Sequence, residues 1–142
     1  MPEHTRGDTG DKAVVLYDSN CRFCRWSLAR LLRLDRRRSL RPVALDSPEA
    51  DSLLGEMSPQ ERFGSWHLAV PGSTVRSGGA AVAPLTGRLT GSARAERLVG
   101  YFTVPLALGY QVVARSRGRL GRLVGDRADA RARSLIEERE AV

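Results

Sequence analysis

The first apolar run of the chain, Ala13 to Tyr17 (AVVLY), has no polar break, and such a run reads as a strand buried in a parallel or mixed sheet. Asp18, Ser19 and Asn20 end it. From Arg22 the period becomes helical: Phe23, Trp26, Leu28, Leu31, Leu32 and Leu34 fall largely on one face, with Arg22, Arg25, Arg30 and Arg33 between them. That pattern predicts an amphipathic helix of about twelve residues. Leu40 to Leu45 (LRPVAL) reads as a second strand, with Pro42 marking an end or edge position. Strand, helix and strand together make a βαβ unit.

Beyond this unit, Ser47 and Ser58 each precede a proline and have an acidic residue in the following turn, which predicts two capped short helices. Ser65 to Val70 (SWHLAV), the turn Pro71 to Ser73 and Thr74 to Arg76 read as a hairpin that closes the sheet. Trp66 and His67 then point to opposite faces, with His67 a satisfied histidine rather than a catalyst. Gly78 and Gly79 open a further helix along AAVAPLTGRL. Leu98 to Ala114 carries no charge, but it falls short of the roughly 20 apolar residues of a membrane span and contains Gly100, Pro105, Gly109 and Gln111. A buried or surface-docked helical segment kinked at Pro105 is expected. The end, RADARARSLIEEREAV, reads as a solvated helix or a frayed tail.

The first residues, MPEHTRGDTGDK, have charges but no apolar centre, unlike a signal peptide. The expected organisation is a disordered leader over 1–12, one domain over 13–125 and a charged helical tail over 126–142. A cytoplasmic location follows as an expectation. With 142 residues the chain can bury a core without staples.

A net charge of +7 raises the question of nucleic acid. The distribution argues against it. Of 23 basic residues Lys12 is the only lysine, an imbalance typical of GC-rich coding and a bacterial-like composition. The arginines are dispersed, with Arg36, Arg37 and Arg38 the only consecutive run, and few aromatics stand among them to stack bases. Peripheral contact between the basic, apolar C-terminal half and an acidic partner or anionic membrane surface stays open.

Both cysteines, Cys21 and Cys24, lie where the first strand turns into the first helix. A disulfide at this spacing closes too small a loop to restrain the unfolded chain much, so its value would be reactivity. At a helix N-terminus, unpaired amides and the macrodipole favour a thiolate, and Arg22 and Arg25 are expected to add positive charge. Cys21 is then the attacking thiol and Cys24, one turn in, the resolving one. Two alternatives stand beside this dithiol. The pair can be half of a metal site, although His4 and His67 are far apart and no second close pair exists unless a dimer shares one. The thiols can also be inert. Asp18, three positions before Cys21, is either a proton acceptor for a thiol or a cap for the turn.

YDSNCRFC resembles the YDGxCxxC signature of the DCC family of thiol-disulfide oxidoreductases. The resemblance extends through Asp35 at the end of the first helix, the strand VALDSPEA, the GGAAV segment and YQVVARSRGRL, which is similar to the family's late YxxxAxxR block. It implies an α/β, thioredoxin-like mixed sheet with flanking helices and an added helical C-terminal region. It also implies dithiol–disulfide exchange with a protein or small-thiol partner, without a cofactor. Asp18, Cys21 and Cys24 fall on the motif; Tyr110, Ala114, Arg115 and Arg117 fall on the late block. Ser19 replaces the usual glycine, so strain is expected if the turn needs positive φ. No proline stands near Gly64 and Ser65, where thioredoxins place a cis-proline, which counts against docking of an extended peptide in the usual way. A non-catalytic thioredoxin-like module that docks a protein or membrane surface remains the alternative.

Overall fold

The computed structural model describes residues 11–140; most of the expected leader and the last two residues lie outside that range. Strand β1 (Ala13–Tyr17) lies between β2 (Leu40–Ala44) and β3 (His67–Ala69), and β4 (Arg76–Ser77) completes the sheet in the order β2-β1-β3-β4. β1 and β2 run parallel, while β3 is antiparallel to β1 and to β4. Pro42 therefore sits on an edge strand, where its missing donor is tolerated. The α/β, thioredoxin-like arrangement that the resemblance implies is present.

Every residue of β1 is buried, because both faces of the sheet are covered. Ala13, Val15 and Tyr17 join Leu28 and Leu32 of α1 (Arg22–Leu34) and Ile136 of the last helix in one apolar cluster. Val14 and Leu16 face the other way, onto Ala50 and Leu54 of α2 (Pro48–Leu54) and Phe63 of α3 (Pro59–Gly64). Ser47 and Ser58 cap these two short helices as expected, and Ser58 with Glu61 forms a full capping box. His67 is 1 % exposed, with Nε2 donating to the Arg62 carbonyl and Nδ1 accepting from the Ser77 hydroxyl.

After a short 3-10 turn (Gly78–Ala81) come α4 (Val82–Thr90), α5 (Ala93–Gly100), α6 (Thr103–Gly121) and α7 (Asp126–Glu140). The uncharged segment Leu98 to Ala114 is thus two helices, not one kinked helix. The chain breaks at Tyr101 and Phe102, and Pro105 lies in the first turn of α6, where a missing N–H breaks no helical hydrogen bond. Of the two placements expected, buried or docked at the surface, the segment is at the surface: Leu98, Tyr101, Phe102, Val104, Leu108 and Val112 are all exposed, Tyr101 to 84 %. Among the described residues no helix is long and apolar enough to cross a membrane.

The final helix departs furthest from expectation. α7 is not a solvated tail: Asp129, Ala132, Ile136 and Arg139 form a buried face against α1. Arg139 Nη1 donates to Asp35 Oδ2 at 3.2 Å, and its Nη2 donates to the Leu32 and Asp35 carbonyls. Asp35, 1 % exposed, accepts in addition from Ser39 and from the Leu40 amide, so one carboxylate joins the end of α1, the start of β2 and α7. A small difference is Leu34, placed on the apolar face by its spacing but 68 % exposed at the helix end.

Candidate active site

β1 delivers the chain to a tight loop before α1. The Asp18 carboxylate accepts the Asn20 amide at 3.0 Å, and the Asp18 carbonyl accepts the Cys21 amide at 3.2 Å. This is the turn-capping geometry expected of an Asp at such a position. Cys21 is the N-cap of α1 in extended conformation, and its sulfur accepts the Cys24 amide at 3.2 Å. The two cysteines are paired, with Cα atoms 5.1 Å apart and both side chains half-buried. Ser19 has no positive φ: Arg38 is the only non-glycine residue in that region among those described. The expected strain at Ser19 is absent, and its hydroxyl donates to Asp46 at 3.2 Å.

The flanking arginines do not lend free charge to the pair. Arg25 is buried, and its guanidinium grips Asp129 of α7 at two points, 2.8 and 3.1 Å, while Nη1 donates to the Ser19 carbonyl at 2.6 Å. Arg22 donates to Asp126 and to the Val124 carbonyl. The hydrogen bonds from Arg25 outweigh burial, which acts the other way, and hold the Asp129 carboxyl below the usual carboxylate range. Arg25 thus shapes the loop, while the helix end itself offers Cys21 its unpaired amides.

Two openings flank the cysteines. Beside Cys24 lies a cavity of about 280 Å³ walled mainly by carbon, from Val15, Phe23, Leu28, Leu31 and Leu85. Asp18 and Tyr17 reach it from β1 and its loop, Ser65 and Trp66 from the segment that leads into β3, and Tyr110, Val113, Ala114 and Arg117 from α6. Burial, reinforced by the nearby Glu140 charge, pushes the Tyr17 phenol up, so it stays neutral and donates to Glu140. On the other side of the pair, Cys21 borders a cleft with Arg22, Arg117 and Arg122. Arg117 belongs to both openings and donates to the Phe63 carbonyl at 2.7 Å.

The residues singled out from the late block separate here. Tyr110, Ala114 and Arg117, at i, i+4 and i+7, line the cavity, whereas Arg115 does not. The Tyr110 hydroxyl accepts the Trp66 amide at 3.2 Å. No cis peptide occurs among the described residues, and Ser65 and Trp66 face the cysteines in trans. Among the described residues, no three His, Cys, Asp or Glu side chains cluster as a metal site would require. Asp129 and Leu85 were not legible as site residues, since neither lies near the motif in sequence.

A model of the DCC1-like thiol-disulfide oxidoreductase family matches residues 15–123. The chain belongs to this family. The match takes in the CxxC loop, the hairpin and all of α4 to α6, and it ends before α7. In this DCC1-like protein the helix that holds Arg25 and Asp35 therefore lies beyond the part the family model describes. Neither the curated proteins nor the solved structures give a match to the chain.

Proposed function

We propose that this DCC1-like protein carries out dithiol–disulfide exchange, with Cys21 attacking and Cys24 resolving. The observation that carries the reading is the Cys24 amide donated to the Cys21 sulfur of the disulfide at the N-cap of α1, a contact that favours negative charge on that sulfur once the pair is reduced. In the reduced protein the Cys21 thiolate attacks one sulfur of RS–SR, forming a mixed disulfide and expelling RS⁻. Cys24 loses its proton and attacks Cys21 Sγ, which closes the intramolecular disulfide and expels the second RS⁻. Two electrons pass from the protein to the substrate, and the two thiolates take up protons. Asp18, which borders the cavity beside Cys24, is the proposed acceptor of the Cys24 proton.

Cys21→Ser is expected to abolish exchange, and Cys24→Ser to accumulate a mixed disulfide visible as added mass. Full exchange activity in both variants would overturn the reading.

The exposed apolar strip of α5 and α6 supports a second reading, a module that docks on an anionic membrane surface. Arg94, Arg97, Arg115 and Arg119, all exposed, flank the strip and favour anionic headgroups, while two copies face to face would bring these charges together. Sedimentation with anionic vesicles that persists in the Cys21→Ser/Cys24→Ser variant, and is lost with Phe102→Ser, is the expected signature. No sedimentation at low salt would remove it.

A further inference from the structure

Resting on the exchange reading above, we propose that the substrate is a small-molecule disulfide with an apolar carbon body and an anionic group, not an extended peptide. The body occupies the cavity beside Cys24, and the anion meets Arg117.

An extended peptide docks through free backbone groups on the segment facing the reactive sulfur. At Trp66 those groups are taken. The Trp66 amide is donated to the Tyr110 hydroxyl, and the Trp66 carbonyl accepts from the Gly78 amide at 3.1 Å. α6 holds this arrangement shut: a Cβ on Gly79 would overlap the backbone of Leu106 and Ala107, so the helix lies directly on the turn that follows the hairpin. What remains is a half-open, apolar hollow of about 280 Å³, just under the range of roughly 300–1,000 Å³ usual for ligand sites. Leu28, Leu31 and Leu85 offer nothing to a polar body, and Arg117 is the cation shared with the Cys21 cleft. A molecule that spans both openings brings its sulfur to the pair between them. The exchange is that already written, with one such disulfide reduced to its thiols for each dithiol oxidised.

The test compares, for the reduced protein, lipoate (apolar ring and chain, carboxylate), 2-hydroxyethyl disulfide (small and polar) and a cystine-bridged peptide. The expected result is a KM for lipoate at least tenfold below that of either competitor. Arg117→Gln should raise it severalfold. Ala114→Phe, which fills the cavity, should erase the preference; Val113→Trp, at a half-exposed position, serves if Ala114→Phe does not fold. In parallel, octanoate, which has no sulfur, should bind saturably and quench tryptophan fluorescence in the wild type but not in the filled variant. Preferential reduction of the peptide, or no octanoate binding, overturns this inference while leaving exchange intact. Octanoate binding without reduction of any disulfide would instead sink the exchange reading.

Discussion

Arg25 and Asp129 stand 104 residues apart in sequence and form a two-point ion pair, buried on both sides, one turn beyond the reactive cysteine. The third hydrogen bond of Arg25, to the Ser19 carbonyl, ties the same guanidinium to the loop that presents Cys21. One side chain therefore fixes the loop, the first helix and the last helix together.

Removing one partner of a buried pair leaves the other charge stranded, which typically costs about 3–5 kcal/mol. Arg25→Ala is expected to lose at least about 3 kcal/mol in urea unfolding and to slow exchange by releasing the loop. A change under about 0.5 kcal/mol would show that the pair does not hold the fold.

The last helix supplies a second prediction. Ile136 is 2 % exposed within the main apolar cluster, so Ile136→Ala should cost about 2–4 kcal/mol. A chain ending at Gly125 should lose cooperative unfolding, because Arg25 and Asp35 keep no ionic partner from α7. A detachable tail would leave the melting transition in place.

Acid should weaken the protein in two stages. Burial lowers the pKa of His67 from its ordinary 6.5, so the unfolded chain binds a proton that the folded chain refuses. The stability it contributes is full above pH 6.5 and is lost as pH falls from there toward the folded-state value. Asp129, lowered from 3.8 mainly by its bonds to Arg25, adds a second loss that starts below that pH. His67→Gln should flatten the first stage in pH-dependent urea midpoints and leave the second.

At Ser19 the expected outcome is a small effect in the unexpected direction. Glycine relieves no strain there, gives up the hydrogen bond to Asp46 and adds freedom to the unfolded chain, so Ser19→Gly should destabilise by roughly 0.5–1 kcal/mol. A rise in melting temperature would contradict the backbone geometry.

The chain made some of this legible and hid the rest for physical reasons. The burial of β1, the helix from Arg22 and the Ser caps follow from hydrophobic period and local hydrogen bonding, which neighbouring residues decide. The strand expected over Ser65 to Val70 shrinks to His67–Ala69, since its first backbone groups pair with Tyr110 and Gly78 rather than a strand. α7 reads as polar because two of its four buried residues are ionic, and their partners lie over a hundred residues away. Arg25 reads as a surface charge for the same reason. The break after Gly100 is masked because apolar residues line both the packed and the exposed sides of α6. At the site, the cysteines and the turn role of Asp18 were local and visible; the cavity wall from α6 was only a spacing until packing brought it to Cys24.

The two buried ions of α1 have a consequence for the order in which the molecule is made. Arg25 and Asp35 emerge from the ribosome about a hundred residues ahead of their counter-ions, Asp129 and Arg139. At the usual synthesis rate of roughly 5–20 residues per second, both charges wait on the order of ten seconds in a nascent chain that cannot yet bury them. The loop that presents Cys21 is thus locked by its arginine only once α7 has been made, well after its own synthesis.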